Sequence, residues 1–252
     1  MGNILEIEDV RMEFGSLRAL DGVSFGVEEK SVTILIGPNG SGKTTLINVA
    51  SGIYKPNAGR IVYKGEDITG FEPHKVYRRG LVRTFQIPAL FQKLAVLENV
   101  MVAKKDNPGE SFRKSVFKPS WSKAEEAGVE QAFEILKAVG LLGMWDKPAS
   151  SLSGGQMKLL EIARAMISGA DTMLLDEPIS GVNPTLAHEI FQQILGLRDR
   201  LGLTFLIVEH RLDIALSYVD SVVALAYGKL LASGKPQSVM VDPRVIDAYL
   251  GG

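Results

Sequence analysis

Length, composition and charge exclude several classes of protein before any motif is considered. The 252 residues are 46% hydrophobic and 23% charged, as expected for a folded chain with one substantial core. The 28 basic and 29 acidic residues nearly cancel, which argues against a nucleic-acid-binding protein, and the absence of cysteine excludes disulfides and thiolate metal sites. The three histidines cannot by themselves make a four-ligand zinc site. No run approaches the roughly 20 apolar residues that a membrane-spanning helix needs.

The first sixty-odd residues alternate between apolar and polar side chains. Val23, Phe25 and Val27 fall on one side of an extended chain, with small or charged residues between them. This period of two predicts half-buried antiparallel strands. The continuous apolar run Val32–Ile36 instead predicts a strand that is buried on both faces.

A glycine-rich segment follows that buried strand. Residues 37–44 read GPNGSGKT, which has the spacing of a phosphate-binding loop, and residues 46–53 are predicted to form the helix after it. Glycines let backbone amides converge on phosphate oxygens, and the helix N-terminus adds positive partial charge. Lys43 is expected to reach the β- and γ-phosphates, and Thr44 to offer a hydroxyl ligand to Mg²⁺. The segment therefore predicts a nucleoside triphosphate site rather than a plain linking turn, formed by Asn39, Gly40, Ser41, Gly42, Lys43, Thr44 and Thr45.

The pattern becomes helical between about residues 90 and 167. Apolar residues recur at positions 129, 132, 133 and 136, and Ser122 with Glu125 is a candidate capping box at the start of that helix. Residues 104–120 show neither period and are predicted to be a solvated surface loop. This part of the chain is interpreted as an inserted helical subdomain.

Two acids follow a second buried-strand pattern, at residues 172–175. Asp176 would hold Mg²⁺ through its water shell, and Glu177 would orient and deprotonate the water that attacks the γ-phosphate. A strand-end acid that caps a helix is the structural alternative, but the phosphate loop upstream favours the catalytic interpretation. With a further buried run at Thr204–Val208, the pattern predicts an α/β fold with a mostly parallel sheet.

The sequence SLSGGQ at residues 151–156 predicts a second anion site. Ser153 and Gln156 form a candidate capping box for a helix running through Ile167, whose N-terminal amides would face phosphate. If the two anion sites lie on distant subdomains, one chain cannot close both around the same γ-phosphate. Two chains arranged head to tail are the simplest geometry, with dimerisation driven by ATP.

These motifs, in this order and spacing, resemble those of the ATP-binding-cassette ATPases over nearly the whole chain. The resemblance implies a single P-loop ATPase domain over residues 1–252, with about 1–89 and 168–252 forming the catalytic core with its antiparallel β subdomain and about 90–167 the helical subdomain. It also implies individual roles. Gln86 would sense Mg²⁺ and the attacking water, His210 would contact the γ-phosphate, Phe14 would stack on adenine, and residues 180–183 would form the D-loop. The nucleotide contacts from the signature motif would be Ser153, Gly154, Gly155 and Gln156.

Three residues depart from the family pattern. Phe14 stands where tyrosine is more frequent, and stacking on adenine would contribute about 1–3 kcal/mol by analogy with base stacking elsewhere. Asn183 stands in the D-loop where aspartate is usual, and Arg211 follows His210 where close relatives tend to have aspartate.

Within the family the chain is most similar to the ATPases of branched-chain amino-acid importers. The likeness is carried by RTFQIP at 83–88, LENV at 97–100, KLLEIARA at 158–165, VEH at 208–210 and DPRVIDAYLG at 242–251. It implies ATP and Mg²⁺, a second ATPase subunit in a homo- or heterodimer, two transmembrane permease subunits, an indirectly coupled binding protein, and no nucleic acid. The chain would sit on the cytoplasmic face of the inner membrane. The ATPases of urea or short-amide importers and of lipopolysaccharide export share much of this sequence, and a soluble iron–sulfur assembly ATPase is the alternative of a different class.

Overall fold

The computed structural model describes residues 2–84, 89–105 and 119–250. The chain divides into two compact units, one formed by Met1–Gln86 with Asp171–Gly252 and the other by Ile87–Ala170. In chain order the strands are β1 Asn3–Phe14, β2 Leu17–Glu28, β3 Val32–Ile36, β4 Ala58–Tyr63, β5 Glu66–Asp67, β6 Leu81–Arg83, β7 Thr172–Asp176, β8 Thr204–Val208, β9 Ser221–Ala226 and β10 Lys229–Gly234. The helices are α1 Lys43–Ala50, α2 Pro73–Arg78, α3 Val96–Val102, α4 Pro119–Ala138, α5 Gly154–Ile167, α6 Pro184–Leu201, α7 Leu212–Ala215, α8 Pro236–Val239 and α9 Pro243–Leu250.

The first unit contains an antiparallel sheet of four strands in the order β2-β1-β4-β5. Along β2, Val23 and Val27 are buried and Phe25 is half-buried, while Ser24 and Gly26 are exposed. The alternation read from the sequence is therefore confirmed. It arises because one face of the sheet packs on the core and the other meets solvent.

The same unit contains a sheet of six strands in the order β10-β9-β3-β8-β7-β6. All neighbouring strands are parallel except β10, which pairs antiparallel with β9. Every residue of β3 and β8 is buried, as their unbroken apolar sequences predicted. Parallel pairing brings the carboxyl ends of β3, β7 and β8 to one edge of the sheet, so the loops that follow them emerge together.

Helix α1 begins and ends three residues earlier than predicted. It spans Lys43–Ala50 rather than residues 46–53, because Gly42, at φ 104°, is its N-cap and the phosphate loop runs directly into its first turn. At the other end the Ser51 hydroxyl donates to the Ile47 carbonyl at 2.8 Å. The predicted loop and the helix are therefore one continuous structure.

The second unit is helical in its described part, which contains α3, α4 and α5, with two short 3₁₀ turns between α4 and α5. Ala132 and Leu136 of α4 are buried and Val129 and Phe133 half-buried, which confirms the helical period. The predicted start at Ser122 is wrong: α4 begins at Pro119, since proline fits the first helical position. Of the predicted loop at 104–120, residues 106–118 lie outside the described residues.

Asn99 holds the start of this helical unit together. It is fully buried, its Oδ1 accepts from the Phe91 N–H at 2.9 Å, and its Nδ2 lies 3.0–3.2 Å from the carbonyls of Phe91, Leu94 and Ala95. A buried amide with every bond satisfied fixes the turn before α3. Within the described ranges, no helix combines the length and hydrophobicity of a membrane span.

Candidate nucleotide site

A cavity of about 530 Å³ lies beside the phosphate loop in the first unit. It is lined by residues that come from five separate stretches of the chain, namely Phe14, Leu17, Arg18, Ala19, Asn39, Gly40, Ser41, Gly42, Lys43, Thr44, Thr45, Glu177, His210 and Tyr227. Ten predicted site residues are in this set: the seven loop residues, Phe14, Glu177 and His210. Asp176 is not on the lining, and Gln86 lies outside the described residues.

Two glycines fix the path of the phosphate loop. Gly37 has φ 148°, and a Cβ there would lie 2.1 Å from the Leu225 carbonyl oxygen. Gly42 has φ 104°, and a Cβ there would lie 2.7 Å from the Ala19 carbonyl oxygen. Neither position accepts a side chain, so the backbone approaches its neighbours as closely as phosphate binding requires.

Lys43 projects its ammonium back into the loop that precedes it. Its Nζ donates to the carbonyls of Gly37 at 2.7 Å and Pro38 at 2.9 Å, and lies 3.3 Å from the Ser41 hydroxyl. Burial lowers the pKa of Lys43, and the negative charges of Glu177 and Asp176 oppose that shift. A cation is thus held within the loop and close to both acids.

Glu177 and His210 face each other at the edge of the cavity. Their Oε1 and Nε2 atoms are 3.2 Å apart, and both side chains are partly exposed, at 23% and 41%. Glu177 follows β7 with φ 49°, a left-handed conformation that costs about 1–3 kcal/mol in a non-glycine residue. Its N–H donates to the Val208 carbonyl at 2.9 Å, which ties it to the end of β8. A carboxylate and an imidazole held in this way can position a water molecule and accept its proton.

Asp176 is the last residue of β7 and is paired with an arginine that the sequence reasoning missed. The Oδ2 of Asp176 accepts from Arg83 Nη2 at 2.9 Å, and the two side chains are only 12% and 10% exposed. Arg83 also donates to Asn48 on α1. The sequence carries no local signal for this pair, because the two residues are 93 positions apart. This ion pair fixes the carboxylate behind the cavity lining.

Phe14 contributes an aromatic ring to the lining of the cavity. Its ring is 42% exposed and meets Tyr54 edge to face, with 5.3 Å between centroids and 75° between planes. Such an arrangement holds one aromatic ring in place while leaving part of it open to a planar ligand.

The signature motif lies in the helical unit, at the start of α5. Ser153 is the N-cap residue: its Oγ accepts from the Gln156 N–H at 3.3 Å, and its own N–H donates to Gln156 Oε1 at 2.9 Å. The predicted capping box is confirmed. The helix begins with Gly154 and Gly155, directly after Ser153. Its N-terminal amides are a suitable binding surface for an anion.

The departures from the family pattern have structural explanations at two positions. Asn183 caps α6, because its Oδ1 accepts from the Leu186 N–H at 2.9 Å. Arg211 donates from Nη1 to the Val182 carbonyl at 3.1 Å.

Glu209 is a site residue that the sequence analysis missed, although an acid directly after a buried strand was a readable signal. It is 2% exposed and accepts backbone N–H bonds from both loops that carry Glu177 and His210.

The residues present fit a Mg²⁺ ion. Thr44 offers a hydroxyl on the cavity, and Asp176 offers a carboxylate close enough to affect the pKa of Lys43. Mg²⁺ binds through one or two protein oxygens and completes its shell with phosphate and water. Consistent with such a sparse donor set, the described residues contain no cluster of three or more histidine or acidic ligands.

Comparison with protein families gives two matches. The family model described as "ABC transporter" matches residues 20–180, and the model described as "Branched-chain amino acid ATP-binding cassette transporter" matches residues 229–252. Among curated relatives, the probable branched-chain amino acid transport ATP-binding protein LivG of Archaeoglobus fulgidus is 47% identical, over 98% of this chain and 95% of the relative. The high-affinity branched-chain amino acid transport ATP-binding protein BraF of Pseudomonas aeruginosa is 39% identical, over 98% of both chains.

Solved structures agree with these relatives. A nucleotide-free ATP-binding cassette from an ABC transporter superposes with a TM-score of 0.86, and the ADP conformation of such a cassette with 0.87, each at 45% identity and over 100% of both chains. The predicted α/β P-loop ATPase fold is confirmed. This chain belongs to the ABC transporter family, in which it is an ATP-binding cassette ATPase.

Proposed function

We propose that this chain hydrolyses ATP to power the import of branched-chain amino acids through separate membrane subunits. The observation that carries hydrolysis is the Glu177–His210 pair, 3.2 Å apart, on the same cavity as the phosphate loop. The cargo is supported by the relatives, which are branched-chain amino acid transport ATP-binding proteins and match 98% of this chain at 39–47% identity.

The phosphate loop binds the nucleotide by charge and by backbone geometry. Lys43 moves its donor bonds from the loop carbonyls to the β- and γ-phosphate oxygens, because a charged acceptor makes a stronger bond than a neutral one. Asn39, Gly40, Ser41, Gly42 and Thr45 supply the surrounding surface. Thr44 and Asp176 would hold Mg²⁺, with Gln86 as a third contact, and the bound ion would supply positive charge beside the phosphates. Phe14 stacks on adenine.

The hydrolytic step uses Glu177 and His210. Glu177 orients a water molecule and takes its proton as the water oxygen attacks the γ-phosphorus, and the bond from that phosphorus to the bridging oxygen of ADP breaks. His210 contacts the γ-phosphate and, through its 3.2 Å contact, keeps Glu177 at the attacking side. The products are ADP and inorganic phosphate.

A second ATPase subunit completes the pocket. The capped N-terminus of α5, with Ser153, Gly154, Gly155 and Gln156, binds the γ-phosphate held by the facing subunit. Two permease subunits and, indirectly, a substrate-binding protein complete the transporter, with this chain as a peripheral subunit on the cytoplasmic face of the inner membrane. The facing ATPase is a second copy or a related chain.

The test is ATP turnover by this chain purified with its native membrane partners. Leucine, isoleucine and valine, urea, short amides and lipopolysaccharide are offered in turn, each with its matching binding protein where one exists. Stimulation by the branched-chain amino acids supports the proposal. Stimulation by another solute alone overturns the cargo but keeps the ATPase. Failure to recover any membrane partner favours a soluble assembly ATPase, and the same complex with Glu177→Gln is the control for contaminating turnover.

A further inference from the structure

The loops that follow β7 and β8 are fastened to each other along their length. The two strands pair in parallel, with Asp176 opposite Val208 at their ends. Immediately beyond the strands, the Glu177 N–H donates to the Val208 carbonyl at 2.9 Å, and the Glu177 carboxylate meets His210 at 3.2 Å. Two further links, made by Glu209 and Arg211, continue this connection toward α6.

Glu209 provides the first of these links from inside the protein. Its side chain is buried, and its Oε1 accepts from the Ile179 N–H at 3.0 Å. Its Oε2 accepts from the His210 N–H at 3.0 Å and from the Arg211 N–H at 3.5 Å. Burial raises the pKa of Glu209, whereas the three backbone bonds favour its ionised form. Both oxygens act as acceptors, so an amide at this position cannot make the same set of bonds.

Arg211 provides the second link, from the other side of the loop. Its guanidinium donates to the Val182 carbonyl at 3.1 Å, and its Nη2 lies 4.0 Å from the Asp213 carboxylate. Val182 precedes Asn183, the N-cap of α6. The arginine therefore attaches the start of α6 to the loop that carries His210.

Neither residue lines the nucleotide cavity, so each acts through other residues. We propose that Glu209 and Arg211 are positioning residues that link residues 177–183 to residues 209–211 as a pair of joined loops. The joined loops keep Glu177 and His210 at their mutual distance. They pass any displacement of that pair to residues 180–183, which precede α6. The inference rests on the proposed hydrolytic role of Glu177 and His210.

The first experiment compares Glu209→Gln with Glu66→Gln in the purified full chain. Glu66 is the control because its carboxylate also accepts through both oxygens, from Arg79 at 2.7 and 2.6 Å, but it is exposed on β5 and does not line the cavity. A displacement of about 1 Å in a reacting group costs about 10²-fold in rate, so Glu209→Gln is expected to lower kcat at least about tenfold. The KM for ATP should stay within about twofold, because the phosphate loop is untouched.

Arg211 gives a second test that does not depend on the folding of the Glu209 variant. Arg211→Ala should lower kcat with KM unchanged, and Arg211→Lys, which keeps a cationic donor, should recover part of the loss. If Glu209 and Arg211 hold the same pair of joined loops, the effects of Glu209→Gln and Arg211→Ala on kcat should be non-additive. Turnover is expressed per nucleotide-binding site, with the sites counted by titration of bound nucleotide, so a loss of folded protein does not lower the measured kcat.

The outcomes separate this inference from the proposed function. If Glu177→Gln abolishes turnover but Glu209→Gln and Arg211→Ala leave kcat per site at the wild-type value, the positioning role is refuted and the hydrolytic site stands. If Glu177→Gln itself turns over normally, the proposed function fails first. A uniform rise in KM, or equal losses in Glu66→Gln, would also overturn the positioning role.

Discussion

Replacement of Glu177 by glutamine tests the centre of the proposed chemistry. The amide has the same length as the carboxylate and keeps an oxygen or nitrogen within reach of His210, which lies 3.2 Å from Glu177 Oε1. The bonds that Lys43 makes to the carbonyls of Gly37 and Pro38 do not depend on the charge of Glu177, so nucleotide binding is expected to be retained. What disappears is the ability to accept a proton from water.

The expected decrease in kcat follows from the loss of the proton acceptor alone. General-base catalysis contributes about 10²- to 10⁴-fold, so kcat should fall by at least about 10²-fold, or roughly 2.7 kcal/mol of transition-state stabilisation at 1.36 kcal/mol per factor of ten. ATP affinity should stay within about threefold, because the binding groups remain. The bound ATP should then persist and hold two chains together.

The assay combines steady-state phosphate release with size-exclusion chromatography in ATP and Mg²⁺. The expected result for Glu177→Gln is negligible turnover with an ATP-dependent dimer, while Glu66→Gln behaves as wild type. A monomeric variant that hydrolyses ATP at the wild-type rate would refute the assignment of Glu177 as the base.

Three further changes test other parts of the structure. Lys43→Ala removes the cation that the loop carbonyls hold at 2.7–2.9 Å, so nucleotide affinity should fall by more than about tenfold, the scale of a charged hydrogen bond; unchanged affinity in a calorimetric titration would contradict the phosphate-loop assignment. Tyr227 is 75% exposed and has a left-handed conformation, at φ 51°, which asparagine adopts at lower cost. Tyr227→Asn should therefore raise the free energy of unfolding by about 1 kcal/mol, and a denaturant midpoint that is unchanged or lower would count against stored strain. Asn183→Ala removes the cap of α6 and should lower the free energy of unfolding by about 1 kcal/mol, with the isosteric Asn183→Asp as its control; equal stability of the two variants would argue against the cap.

Two buried strands, β3 and β8, were predicted to the residue, and β7 ends one residue later than predicted. Of the helices, α5 was predicted correctly from its capping box, whereas the starts of α1 and α4 were misplaced. Ser31 and Gly37 mark the ends of β3, and Glu209 marks the end of β8, so the sequence pattern defines these limits. The start of α1 was placed three residues late because Lys43 and Thr44 serve both the phosphate loop and the first helical turn. The start of α4 was misplaced because Ser122 and Glu125 match the sequence pattern of a capping box, whereas the helix already begins at Pro119.

The phosphate loop and Glu177 were predicted from their motifs to share one site, and the family resemblance added Phe14 and His210; all of them line the same cavity. Arg83 was missed, because its partner Asp176 lies 93 positions along the chain and nothing local in the sequence connects them. The contact depends on β6 and β7 being neighbours in the sheet, with Arg83 opposite Leu174. Strand order is set by tertiary packing, so a sequence pattern that identifies each strand does not identify this ion pair.

Sequence analysis named Asn183 and Arg211 only as departures from the family pattern and missed Glu209, so the partners of all three residues came from the structure. Each bonds to backbone groups, respectively the Ile179 N–H, the Val182 carbonyl and the Leu186 N–H. Backbone N–H and carbonyl groups are nearly the same at every position, so no complementary side chain exists for a pattern to reveal. Motifs record the side chains that meet the nucleotide, because phosphate and adenine demand particular chemistry. The side chains that hold those motifs in place need only length, charge and a nearby backbone. On the positioning role proposed above, Arg211 acts through its reach to the Val182 carbonyl, which is independent of the side chain at position 182.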